Sequence, residues 1–187
     1  MPLLRTIAIV LFFLWMVADN AMVFPRRTGK AENLDRHSLR ILAAGSTLAC
    51  VIAIWLSFTR LGQMPRAMPW QIAGLVVMAL GIAVRFTAIV QLGRYHTPNV
   101  AILDGHEVFD RGLYRYIRHP SYLGALIAFL GFGLALGNWL SLLALTVLTV
   151  SAYMYRIHEE EAALRTGLGE QYVSYCRRTH CLIPGIF

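Results

Sequence analysis

Residues 121–161, SYLGALIAFLGFGLALGNWLSLLALTVLTVSAYMYRIHEEE, set two long apolar runs end to end and close them with three adjacent carboxylates. The runs cover 122–136 and 139–155, with only Gly137-Asn138 between them. So short a joint between helices makes a helical hairpin, and helices that are apolar all round belong in a membrane or a deep core. The composition decides for the membrane. Of 187 residues, 57% are hydrophobic and 14% charged, and the mean hydropathy of +0.57 lies above that of soluble domains.

Toward the N-terminus three further apolar runs follow the same pattern, at 3–24, 41–58 and 69–92. Each approaches the roughly 20 residues that cross a bilayer. The first has Arg5 near its start and Ala18 near its end, as a signal peptide would, but it continues to Val23 apart from Asp19 and Asn20. That exceeds a signal-peptide core of about 7–15 residues. The expected fold is therefore all-α: an integral membrane protein with a bundle of about five transmembrane helices in a single domain. Residues 1–68 supply the first two helices, and 69–187 form a core with a loop at 93–120 and a tail at 156–187.

The cations set an expected orientation. Arg26, Arg27, Lys30, Arg36 and Arg40 follow the first run, Arg94, Arg111, Arg115 and Arg118 the third, and Arg156, Arg165, Arg177 and Arg178 the fifth; the other side has Arg5, Arg60 and Arg66. The positive-inside rule then puts the N-terminus outside and the loop and tail together in the cytoplasm, in an inner, plasma or endomembrane. The net charge of +7 is spent on these short gaps, so nucleic acid is not an expected partner. Cys50, Cys176 and Cys181 cannot all pair, and no disulfide framework is expected. Cys176, His180 and Cys181 crowd a short tail without a fourth ligand in sequence, so no metal is expected either.

Gly124, Gly131, Gly133 and Gly137 recur at spacings that let membrane helices approach closely, with Gly133 and Gly137 as the small-residue pair. GFGLALG at 131–137 is no dinucleotide loop, because its last glycine comes one place late and no strand precedes it. Arg85 interrupts the third run; it either snorkels to the interface or faces the bundle interior.

The polar chemistry sits in two clusters. In RGLYRYIRHPSYLG, residues 111–124, Arg111, Arg115 and Tyr116 serve as orientation anchors and interfacial belt. His119-Pro120 opens the fourth helix, where free N–H groups favour an anionic or polar group; Arg118 offers a planar fork, Tyr122 lies in the first turn, and Gly124 leaves room for a bulky ligand. The second cluster, Arg156-Ile157-His158-Glu159-Glu160-Glu161, is either a solvated acidic face or a site for a cationic partner. Beyond it Ile157, Leu164, Leu168, Tyr172 and Tyr175 predict one helix continuing from the fifth span to Pro184-Gly185, lying on the membrane or folding over the loop. Cation, carboxylate and aromatic groups on one face suit a ligand with a sulfonium, an amino-acid group and an adenosine, such as S-adenosylmethionine.

These residues carry a resemblance. LGRYHTPNVAILDGHEVFDRGLYRYIRHPSYLG (92–124), RIHEEEAAL (156–164), LGEQYVSY (168–175) and LIPGIF (182–187) resemble the isoprenylcysteine carboxyl methyltransferase family, which is related to the phospholipid N-methyltransferases. The resemblance implies an integral membrane methyltransferase using S-adenosylmethionine, with a lipid-like or prenylated small substrate reaching the site from among the membrane lipids. It assigns cofactor contacts to His106, Gly112, Tyr114, Arg118, His119, Pro120, Tyr122, Gly124 and Glu159, and catalysis to Arg156, Glu160 and Glu161. Leu113 and Leu168 stand where the family often has proline and phenylalanine. A carboxylate acceptor needs no base, whereas an amine acceptor would use one of the crowded glutamates. Competing expectations are phospholipid amine methylation, a sterol-reductase-like NADPH enzyme, and a noncatalytic membrane scaffold.

Overall fold

The computed structural model describes residues 2–23, 32–33, 37–96, 101–102 and 108–183. Among these residues six α-helices appear in order: α1 (Pro2–Val23), α2 (Ser38–Ser57), α3 (Ala67–Leu92), α4 (Pro120–Ala135), α5 (Trp139–Leu168) and α6 (Glu170–Arg178). Short 3-10 turns at Gly93–Tyr95 and Gly112–Arg115 punctuate the long loop, and β1 (Glu32–Asn33) pairs antiparallel with β2 (Ala101–Ile102).

Among the described residues, α1, α2, α3 and α5 are long and apolar enough to cross a membrane. The shorter apolar helix, α4, has 16 residues and rises ~24 Å, against a hydrocarbon core of ~30 Å. It lies antiparallel along α3, because glycines let the two backbones touch. A Cβ on Gly131 would collide with Met78 N and Gly74 O, and one on Gly124 would stand 2.5 Å from Arg85 N. The small-residue seam therefore runs through Gly74 and Gly81 on α3 and Gly124 and Gly131 on α4, seven apart on each. This corrects two expectations. Gly137 belongs to the α4–α5 turn with φ +71, not to a helix-packing pair, and the space beside Gly124 is filled by α3.

Helix α5 packs mainly along α2, where Gly45 lies against Ala152 at one end and Ser141 Oγ donates to Ala53 O at 2.7 Å toward the other. Phe12 of α1 stacks on Phe132 at 4.0 Å between centroids, and Trp15, Phe129 and Tyr153 extend that aromatic core. At the end away from the polar clusters, the buried Asn138 caps α5 and ties two turns together. Its side chain accepts from Leu140 N at 2.9 Å and Ser141 N at 3.0 Å, and donates to Leu61 O at 2.7 Å. Asn138→Ala should cost about 2 kcal/mol, from a lost cap and a carbonyl left without its donor; a parental Tm in detergent would refute this.

The tail is two helices rather than one. Gly169, at φ +56, ends α5 in a backbone conformation that residues with a Cβ rarely adopt, and α6 then folds back over the loop. Ile157, Tyr172 and Tyr175 are buried as the periodicity expects. The chain beyond α6 runs parallel to the segment before α4: Arg118 N donates to His180 O at 2.9 Å, His119 N to Cys181 O at 3.2 Å and His180 N to Tyr116 O at 3.0 Å. Pro184-Gly185 lies outside the described residues.

Candidate functional site

The start of α4, the C-terminal part of α5 and α6 converge on one carboxylate, Glu161. Its Oε1 accepts from Arg118 Nε at 2.8 Å and Tyr172 Oη at 2.9 Å, and lies 3.0 Å from His119 Nε2; Oε2 accepts from Arg165 Nη2 at 3.2 Å. Arg118 spends its Nη1 on the last carbonyls of α6 and the residue after it, Thr179 O at 2.6 Å and Cys176 O at 3.3 Å. Its fork thus ties the loop to the tail instead of standing open for a ligand carboxylate, because a guanidinium taken from water must find acceptors. Burial alone would lower the Arg118 pKa, but the hydrogen bond and charge of Glu161 outweigh it and raise it. Burial and then the same carboxylate push the Tyr172 phenol and the Cys176 and Cys181 thiols upward.

The neighbouring carboxylate points elsewhere. Glu160 Oε2 accepts from Tyr122 Oη at 2.6 Å and lies 4.0 Å from Arg156 Nε, which donates to Tyr122 Oη at 3.3 Å. The His119 and Tyr122 rings stack at 5.5 Å and 2°, so the two glutamate clusters share a wall.

Cavities lie on either side of that wall. One, of about 680 Å³, is bordered by Arg118, Glu161, Arg165, His158 and His180 together with Met154 and Ile157. The other, of about 540 Å³, opens between the membrane helices; Phe12, Trp15, Leu42, Ile54 and Phe129 give it apolar walls, and Asp19, Arg85, Tyr122 and Arg156 a polar end. Successive faces of α5 serve both cavities, Met154 and Ile157 on the first and Tyr153 and Arg156 on the second. Arg85 does not snorkel. It is buried, with Nε and Nη2 on the two carboxylate oxygens of Asp19, the second at 2.7 Å, and Nη1 on Ser121 O at 3.3 Å.

The family model described as isoprenylcysteine carboxyl methyltransferase (ICMT) family matches residues 72–166. The chain belongs to this family. The probable protein-S-isoprenylcysteine O-methyltransferase of Oryza sativa subsp. indica is 36% identical over 115 residues, 60% of this chain and 60% of the relative. The protein-S-isoprenylcysteine O-methyltransferase of Dictyostelium discoideum is 27% identical over 177 residues, 94% of this chain and 73% of the relative. A solved structure of the eukaryotic intramembrane Ras methyltransferase ICMT superposes with TM-score 0.66 at 30% identity, covering 75% of this chain and 52% of that one. The chain thus spans about 60% of the rice relative's length.

In this ICMT-family chain the expected residues separate into groups. Arg118 and Glu161 border the first cavity; Tyr122 and Arg156 border the second; His119 and Glu160 stand in the wall. Pro120 is the first residue of α4, and Gly112 abuts the Gln91 side chain. Tyr114 is buried, donating to Ala88 O at 3.3 Å and accepting from Tyr175 Oη at 2.5 Å through its carbonyl, so it fastens the loop to α3 and α6. Glu159 is half-buried and borders neither cavity. His106 lies outside the described residues. Sequence reading passed over Asp19 and Tyr172; the signal for Asp19 was an acid in one span and a base, Arg85, in another.

His119, Glu161 and Cys181 do bring possible metal-ligand atoms within 4.8 Å of one another. Arg118 already occupies the same carboxylate oxygen, and a second cation beside its guanidinium would be repelled.

Proposed function

We propose that this chain is an S-adenosylmethionine-dependent methyltransferase that esterifies the carboxylate of a prenylated cysteine. The observation that carries the proposal is a pair of cavities served by successive faces of α5, one rich in ionic groups and the other apolar and set among membrane helices. The relatives' names, protein-S-isoprenylcysteine O-methyltransferase, support the acceptor.

The donor set suits the cofactor. The first cavity lies within the ~300–1,000 Å³ of small-ligand sites and combines cations, a carboxylate and aliphatic wall. Glu161, through its Oε2, and Arg165 would hold polar groups there, and Met154 and Ile157 would face the apolar parts. When bound, S-adenosylmethionine supplies an electrophilic methyl group on a positively charged sulfur. In the second cavity Arg156 holds an anionic head and the walls from Phe12 to Phe129 take its hydrocarbon. The carboxylate arrives ionised, so the protein's task is to align it and exclude water, with no proton to remove. Glu160 and Glu161 already accept hydrogen bonds, which suits holding roles. The cation-rich end carrying the site faces the cytoplasm under the positive-inside rule.

The test is transfer of radiolabelled methyl from S-adenosylmethionine to N-acetyl-S-farnesylcysteine by purified protein in detergent. Label should be released by mild base, as from a methyl ester. Base-stable label in an aminophospholipid, with none in the cysteine analogue, would replace this acceptor by a phospholipid amine.

A further inference from the structure

Two buried arginines serve the polar end of the membrane cavity, and each is held by a residue from the N-terminal helix pair. Asp19, near the end of α1, engages Nε and Nη2 of Arg85 with its two oxygens. Ser38, the first residue of α2, is fully buried and its Oγ accepts from Arg156 Nη1 at 2.5 Å. Both residues precede the segment matched by the family model.

One further nitrogen of each arginine reaches the same place. Arg85 Nη1 donates to the carbonyl of Ser121, next to Tyr122, and Arg156 Nε donates to the Tyr122 hydroxyl. A guanidinium is a rigid planar fork, so fixing some of its nitrogens fixes the direction of the rest. Asp19 takes up the fork of Arg85, and Arg156, held by Ser38 and Tyr122, lines the same cavity. Asp19 and Arg85 border the membrane cavity, and neither they nor Ser38 borders the other cavity.

We propose that Asp19 and Ser38 are positioning residues for the methyl acceptor: through Arg85 and Arg156 they set where its anionic head lies against Tyr122, and so which acceptors are used. This rests on the acceptor assignment under Proposed function. It makes α1 and α2, and not only the family segment, determinants of acceptor choice.

The experiment measures the acceptor KM for N-acetyl-S-farnesylcysteine and the Kd for S-adenosylhomocysteine in the same preparations. Ser38→Ala should raise the acceptor KM about tenfold, the loss of one hydrogen bond to a charged group, with the Kd unchanged. Ser38→Thr keeps the hydroxyl and should restore the parental KM. Asp19→Asn should raise the KM by at least as much. Because it leaves Arg85 buried beside a neutral partner and endangers folding, the exchange Asp19→Arg with Arg85→Asp is its companion. The exchanged pair should restore Tm and leave the KM raised, because the guanidinium now starts from the wrong helix. Parental KM in both Ser38→Ala and the exchanged pair overturns the proposal, as does a Kd that rises in step with KM. Parent protein that binds S-adenosylhomocysteine but neither binds nor methylates the analogue overturns the acceptor assignment itself, and the proposal with it.

Discussion

Glu161→Ala is expected to abolish binding of S-adenosylhomocysteine and to lower stability by about 3–5 kcal/mol, the scale for removing one member of a buried ion pair. The size follows from what the carboxylate holds. Arg118, His119 and Tyr172 meet on one oxygen, and Arg165 reaches the other, so the loop before α4, the end of α5 and α6 lose a shared centre. Arg118 is left with only backbone carbonyls for its charge. Glu161→Gln keeps the shape and one acceptor but not the charge, so it should fall between parent and alanine in both Tm and affinity. Titration calorimetry and thermal unfolding in one detergent check this. A Glu161→Ala protein that binds the ligand with parental affinity would show that this carboxylate is no part of the site.

Gly131→Leu should prevent assembly of the folded protein, an effect as large and of a different kind. The obstacle is the backbone of α3: the added carbon meets Met78 N and Gly74 O, and backbone held in a helix does not swing aside as a flexible side chain would. Separating α3 from α4 also moves Arg85 away from Ser121, so the site suffers with the bundle. Size-exclusion profile and thermal unfolding of the variant beside the parent are the measurement. A folded variant with parental Tm would mean that α3 and α4 do not approach as closely as these contacts require.

The place where local pattern misled is instructive. The heptad-like apolar spacing from Ile157 to Tyr175 is real, and both ends of it are buried, yet a single glycine at 169 divides it into two helices. Periodicity describes which face is apolar and is blind to one positive φ that redirects the axis. That turn brings Tyr172 and Tyr175 onto Glu161 and Tyr114.

Length, hydropathy and residue spacing are properties of neighbouring residues, and they determined the membrane-spanning helices, the α4–α5 hairpin and the two polar clusters beside it. They did so because a helix's burial and close approach depend on residues three, four or seven apart. Which partners each glutamate meets was decided only by the tertiary structure, since Glu160 and Glu161 are equivalent in sequence and differ by one helical step in direction. The same holds for the partners of the buried arginines. Asp19 and Arg85 are 66 residues apart and Ser38 and Arg156 are 118 apart, and such pairs are selected by the packing of whole helices, where a buried charge must find a partner that local sequence does not specify.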